Sequence, residues 1–473
     1  MINNSRHLWL LFAIAVFFTL LGQRGLNEPD EGRYSSIARE MVADGNWLVP
    51  HMNGNPHFQK PPIIYWFTGL SLKAFGNHEW SARLPSALMG LGTVILAFLI
   101  ARRLRPQSDK PVITALILTT IAGFFVMSRL LTPDMIMTFW ITAAITAALY
   151  GRHWLYFICM GIGFLTKGPM ALVVPLFAVI GWQYFASAEE KLRLPWVRGM
   201  LLTLALSISW FIAVSLSDAQ LFEYFWKYEL VERFGSSSHG RSKPFWFFAL
   251  VLPLGLLPWV FFLPIRTAWK KIRSGKLSAH DGLLLGWTIP PLLILSMSGS
   301  KLPTYILPLM PAFAIGIAAT LPSVRKAWKI AIPTALIMLV GDFVVSRNND
   351  LLGVQCSTRE LVDAMNQSEP DADSAILFAC GTRTQGLAFY AEHILNITRE
   401  EADLAITPTE DQARRIYSSP GQCVRRLTDG PDAHGIVRDT RFKKLFDPTK
   451  WRIIARAGPF LLVANHPPHV TTK

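Results

Sequence analysis

Apolar residues in this chain gather into long runs instead of alternating with polar ones. The first run, LWLLFAIAVFFTLLG over 8–22, follows Arg6 and His7 and has no small-residue cleavage site after it, so it is expected to stay as an anchor. A helix crosses the bilayer core with about 20 apolar residues. Further candidate spans lie over 84–101, 111–128, 135–150, 154–166, 169–186, 199–217, 244–264, 282–297, 303–320 and 330–345. The expectation is a polytopic α-helical membrane protein with about 11 to 13 transmembrane helices. Between the first two runs, the loop 23–83 changes period. Tyr34, Ile37, Ala38, Met41 and Val42 recur at helical spacing, which predicts an amphipathic helix lying on the membrane surface, and IIYWFTGLSLKAF (63–75) predicts a second interfacial stretch. The pattern changes again after 345. SAILFAC (374–380) and ADLAIT (402–407) read as strands and WRIIARAGPFLLVAN (451–465) as a closing hairpin. The chain therefore divides into a membrane domain, 1–345, and a small α/β domain, 346–473.

Composition agrees with this division. Hydrophobic residues make up 51% and charged residues 16%, which excludes an ordinary soluble enzyme, a disordered chain and a collagen. The net charge of +14 reads as the positive-inside rule and not as a nucleic-acid surface. One set of alternate loops carries Arg102, Arg103, Arg105 and Lys110; Arg152; Lys191, Arg193 and Arg198; Arg266, Lys270, Lys271, Arg273 and Lys276; and Arg325, Lys326 and Lys329, and is assigned to the cytoplasm. The opposite set holds NEPDEGRY, HFQKPP, RLLTPD, LTKGP, HGRSKPFW and SGSKLPTY, so the candidate chemistry converges on the other face. The four Cys (159, 356, 380, 423) have no metal spacing; for Cys356 and Cys423 a disulfide and two thiols both stand open.

In the first loop Glu28, Asp30 and Glu31 place three acids within four residues at the start of a helix, whose dipole favours their ionised forms. One of them is enough for a cap, so the cluster is read as a site. Lys60, extended by the proline after it, is placed to hold a lipid phosphate or to snorkel. Lys167 and Lys301 each read either as phosphate ligands or as interfacial anchors; Tyr305 lies one turn into its helix, and Phe245 and Trp246 read as aromatic-belt residues.

NEPDEGRYSSIAREM, GNWLVPHMNGNPHFQKPPIIYW, RLLTPDMIMTFW, LTKGPMALVVP, KPFWFF and SKLPTYILPLMP, in this order over roughly 8–320, resemble the undecaprenyl-phosphate aminoarabinose transferases. These belong with the dolichyl-phosphate-mannose protein mannosyltransferases in the C-type (GT-C) membrane glycosyltransferases. The resemblance implies a GT-C fold in a bacterial inner membrane, with the site and the C-terminal domain on the periplasmic side. The implied enzyme moves a sugar from a polyprenyl phosphate to lipid A or a related envelope glycolipid. It further implies Asp30 as the catalytic acid with Glu31 beside it, Asp134 as the second acidic position, Lys60 on the carrier phosphate, and Arg241 or Lys243 as a later basic residue near that phosphate.

From the chemistry, charge collecting on the leaving phosphate suits Lys60, Arg241, Lys243 and Arg33. Asp30 suits either the developing positive charge at the sugar or a proton from the acceptor, and direct displacement would invert the anomeric centre. Glu28, Tyr34, His57, Lys167, His239, Lys301 and Tyr305 are candidate substrate contacts. No cofactor is assigned. The family commonly has Glu before the lysine where this chain has Gln59, which puts a divalent-metal site in question, with His57 and His239 as candidate ligands. Two alternatives stand beside this reading: transfer to protein hydroxyls, and a lipid-linked sugar flippase, which would need more charge at the membrane midplane than this chain carries.

Overall fold

The computed structural model describes residues 7–465 except 218, 224–242, 348–356, 369–375, 381, 383, 403, 405–406 and 429–431. Up to Arg347 the described residues are mostly helical: α1 Leu8–Phe18, α2 Asp30–Asp44, α3 Ile63–Phe75, α4 Glu79–Leu104, α5 Lys110–Thr119, α6 Ala122–Ser128, α7 Pro133–Leu149, α8 His153–Lys167, α9 Met170–Phe185 and α10 Trp196–Ser217. Helices Phe247–Gly255, Ile265–Arg273, Ala279–Met297, Met310–Ala318 and Val324–Arg347 follow. Every apolar run named above lies on helix. Among the described residues, three helices are long and apolar enough to cross a membrane, or five if each bent pair counts as one span.

Each bend has an identifiable cause. Between α5 and α6 the axis turns by 66°. There the Ala122 N–H leaves the ladder and donates to the Leu257 carbonyl at 2.9 Å, while Thr120 Oγ1 accepts from the buried Trp259 indole at 3.0 Å. The expected span 244–264 is not one straight helix. Pro258 stands in its middle, and the pieces Phe247–Gly255 and Trp259–Arg273 meet at 96°. Glycines let backbones touch where α9 crosses Ala279–Met297: a Cβ on Gly286 would lie 2.1 Å from the Phe177 carbonyl oxygen, and one on Gly181 2.1 Å from that of Gly282.

In the first loop, β1 (His51–Met52) and β2 (Asn55–Pro56) form a tight antiparallel turn behind α2. The buried Glu40 carboxylate holds this turn, accepting from the N–H groups of Asn53 at 2.7 Å and Gly54 at 3.0 Å.

The C-terminal region carries a six-stranded sheet in the order β5-β4-β3-β6-β8-β7. Its strands are β3 Ile376–Cys380, β4 Asn396–Thr398, β5 Ile416–Tyr417, β6 Ala433–Arg438, β7 Arg452–Ala457 and β8 Phe460–Ala464. β3 to β6 run parallel, whereas β7 and β8 form an antiparallel hairpin. Apolar cores cover both sheet faces, one around Leu377, Ala379 and Ile436 and the other around Phe378, Cys380 and Val437. The strand expected in ADLAIT is absent from its described positions; the pairing partner of β3 is the shorter NIT segment at 396–398, with helix at 399–402. Cys423 is buried in the second core, and Cys356 lies outside the described residues.

Candidate active site

The start of α2 divides its acids by direction. Successive helix positions point about 100° apart, so Asp30 and Glu31 cannot share an environment. The Asp30 side chain is 57% exposed and pairs with Arg33 one turn later. Glu31 turns inward and is 2% exposed. Its two oxygens accept from Arg83 Nε and Nη2, each at 2.8 Å, and from the backbone N–H groups of Leu131 at 2.9 Å and Asn27 at 3.0 Å. Arg83 spends its other N–H groups on the carbonyls of Leu21, Arg24 and Gly25. Burial on its own raises the Glu31 pKa, but Arg83 and then Arg24 outweigh it and hold the carboxylate at about 2. A carboxylate with all these partners has no lone pair to offer a substrate. The expectation that Glu31 acts beside Asp30 therefore gives way to a bracing place, tying the start of α2 to α4 and to the turn that leads into α7.

Around Asp30 the charges are positive. Arg33 Nη1 donates to Gln59 Oε1 at 2.8 Å. A glutamate at 59 would neutralise Arg33, whereas the amide orients it and leaves its charge in place. His57 is buried; burial first, then Arg33 and Lys60, hold its pKa down to about 3, so it is neutral between two cations. A neutral imidazole is the form that ligates a metal, but Arg33 and Lys60 beside it oppose a cation, and among the described residues no group of three or more His, Cys, Asp or Glu could hold one. Lys60 is half-buried at the same place. Tyr34 is buried with its ring 6.1 Å from that of Tyr65. Burial lifts its phenol above the ordinary value, Arg33 opposes this, and Asp30 and Asp134 add to it, so Tyr34 feels both acids.

Asp134 is the second residue of α7, buried at a helix N-terminus that favours its charge. It pairs with Lys167 at the end of α8, and Lys167 Nζ lies 4.8 Å from the centre of the Tyr305 ring. Three separated motifs, RLLTPD, LTKGP and SKLPTY, thus meet at one point.

Other candidates stand elsewhere. Lys301 is buried, and its ammonium donates to the carbonyls of Ser298 at 2.5 Å and Lys243 at 3.0 Å. It closes two loops on each other. Lys243 is exposed at the edge of the described residues; Arg241 and His239 lie outside them. Glu28 faces the C-terminal region, where its carboxylate accepts from the backbone N–H groups of Gln385 and Gly386, both at 2.8 Å. Burial pushes it up to about 8 against the pull of those amides. Phe245 and Trp246 are exposed. Arg83 was not singled out in the sequence. Its signal was a lone charge at the edge of an apolar run, which has to find a partner.

Residues 59–212 match the family model described as dolichyl-phosphate-mannose-protein mannosyltransferase. The chain is 33% identical over 323 residues to an undecaprenyl phosphate-alpha-4-amino-4-deoxy-L-arabinose arabinosyl transferase of Edwardsiella ictaluri (strain 93-146), covering 64% of this chain and 58% of the relative. It is 32% identical over 333 residues to a second such transferase, of Proteus mirabilis (strain HI4320), covering 67% of this chain and 60% of the relative. The chain thus spans less than two thirds of the length of these relatives. In fold it is similar to the crystal structure of ArnT from Cupriavidus metallidurans bound to undecaprenyl phosphate, with TM-score 0.81, 21% identity and 99% of each chain covered. At that identity the likeness speaks for the fold. A more distant likeness is to the archaeal oligosaccharyltransferase AglB from Archaeoglobus fulgidus, with TM-score 0.51, 11% identity, and 85% of this chain and 65% of that one covered.

Proposed function

We propose that this chain, which belongs to the C-type (GT-C) membrane glycosyltransferases, transfers a sugar, aminoarabinose or a related pentose or hexose, from a polyprenyl phosphate to lipid A or a related envelope glycolipid. The observation that carries the reading is the pairing of one exposed carboxylate, Asp30, with a cationic edge formed by Arg33 and Lys60 around a neutral His57. A phosphomonoester leaving group gathers negative charge as its bond to the sugar C1 breaks. Fixed cations at a membrane interface stabilise that charge far better than the same cations in water. In this reading Lys60 and Arg33 receive the phosphate, with Arg241 or Lys243 joining from the segment before Phe247–Gly255.

Asp30 stands on the sugar side. An acceptor phosphate on lipid A is already ionised and needs no base, so Asp30 offsets the positive charge growing on the ring and orients the incoming oxygen. Asp134, fixed by Lys167 and coupled to Tyr34, forms the second acidic wall. Attack from the face opposite the phosphate inverts the anomeric centre. The loop end of the bundle and the C-terminal domain lie in the periplasm and the basic loops in the cytoplasm, with the chain crossing the inner membrane about 11 to 13 times. Support for a second reading, transfer to protein hydroxyls, comes from the family model matched at 59–212; there Asp30 acts as a base.

The test is transfer by purified protein in lipid nanodiscs, given undecaprenyl-phosphate aminoarabinose and lipid A. The expected outcome is sugar-modified lipid A and free carrier phosphate from the wild type. Lys60→Ala should raise the donor KM about 10-fold or more, as loss of a charge-assisted contact does. Carrier turnover with a serine-rich peptide and none with lipid A would favour the second reading. No turnover with either acceptor would contradict both.

A further inference from the structure

The C-terminal domain meets the first loop at one seam, and the seam lies on the turn that presents Asp30. Glu28, two residues before Asp30, is 4% exposed. It is seated on the loop that follows β3: Gln385 N–H donates to Oε2 and Gly386 N–H to Oε1, both at 2.8 Å, with Thr358 Oγ1 at 3.4 Å. Two amides on two oxygens fix rotation as well as position. The seam continues along α2. The Ser36 hydroxyl donates to the Gln385 carbonyl at 2.7 Å, and Arg39 to the Glu392 carbonyl at 3.1 Å. Before the helix, the Leu26 N–H donates to the Tyr390 hydroxyl at 2.8 Å. Between them the backbones touch. A Cβ on Gly32 would lie 2.5 Å from the Gly386 nitrogen, and one on Gly386 2.6 Å from Glu28 Oε1. Only two glycines allow the first turn of α2 to rest on the domain this closely.

We infer that Glu28 is a positioning residue through which the C-terminal domain holds the Asp30 turn in its reactive place. The role assigned to Asp30 rests on the transferase reading above; the seat itself does not. Lys60 is carried on a separate loop, before α3. Arg33 shares the turn with Asp30 and moves with it, whereas Lys60 stays, so loss of the seat lowers the chemical step by more than it weakens donor binding.

The experiment compares full-length wild type with Glu28→Gln and with Arg359→Met, which removes the Arg359 to Glu79 ion pair (2.9 Å) at the same interface away from Asp30. Hydrogen exchange is followed over 26–36 and 384–392, and transfer kinetics are measured with undecaprenyl-phosphate aminoarabinose and lipid A. For Glu28→Gln the expected result is faster exchange in both segments and a kcat lower by about 10- to 100-fold, the scale of an ångström-sized misplacement, with a donor KM that rises by a smaller factor than kcat falls. Arg359→Met keeps the wild-type kcat. Unchanged exchange, or faster exchange with unchanged kcat, overturns the proposal, as does a fall in kcat matched by Arg359→Met. If Glu28→Gln fails to fold, Gly386→Ala displaces the seat from the domain side and must give the same split. Absence of transfer by the wild type refutes the transferase reading alone, because the exchange arm still decides whether Glu28 holds the turn.

Discussion

Asp30 and Glu31 are adjacent, have the same chemistry, and are expected to fail in opposite ways when altered. Asp30 is exposed and braces nothing but Arg33, so Asp30→Asn should leave the thermal midpoint unchanged while lowering transfer by about 10² to 10⁴. Glu31→Gln strips the buried Arg83 of its counter-charge and should cost about 3 to 5 kcal/mol of stability, read as a drop in thermal midpoint whatever the activity. Acid should find the same loop weak. Glu31 is held at about 2 against 4.5 in the unfolded chain, so its contribution is present above pH 4.5 and fades as pH falls toward 2. His57, held at about 3 against 6.5, contributes fully above pH 6.5 and less as pH falls through 3. Glu28, raised to about 8 against 4.5, acts in the opposite sense between those two values, so the His57 part is read as a difference: His57→Asn should lose less thermal midpoint than the wild type between pH 6.5 and 3 in a thermal-shift series. The loop carrying these residues was legible because clustered acids and a Lys-Pro step stand out in an apolar chain. What each acid does was not, since the 100° between neighbours acquires meaning only once Arg83, 52 positions away, is in place.

At the scale of elements, the apolar runs marked most helices of the bundle but not the basic helix Ile265–Arg273, and their breaks depended on contacts far along the chain. The turn after α5 is completed by a carbonyl at Leu257, and Lys301 reaches the Lys243 carbonyl across 58 positions. No local pattern announces either. The NIT strand was missed for a similar reason: three residues carry too little alternation to read, and its place is fixed by pairing with β3. One helix invites a direct check. Ile265–Arg273 has no buried residue; Ile265, Trp269 and Ile272 share one exposed side, and Arg266, Lys270 and Arg273 another. Such a helix is stable where a bilayer surface covers the first side and anionic headgroups meet the second. A bimane label on Ile272→Cys in nanodiscs should emit as in an apolar medium, and one on Arg273→Cys as in water. Equal, water-like emission from both would refute this placement.

For the molecule as a whole, two halves of different composition act as one device in this account. A helical bundle supplies Asp134 and Lys167, the loop before α3 supplies Lys60, and an α/β domain rests on the loop that presents Asp30. The change from helical bundle to sheet was legible in charge and alternation, but not that the later part would reach back to the first acidic cluster. The central claim is that this assembly moves a sugar from a polyprenyl phosphate to an envelope glycolipid. Mass spectrometry of lipid A from cells with the wild-type protein, with Asp30→Asn and with neither tests it most directly. The expected result is one added pentose- or hexose-sized increment on lipid A in the first strain alone. Lipid A of one mass in all three strains, with the increment on an envelope protein instead, would contradict it.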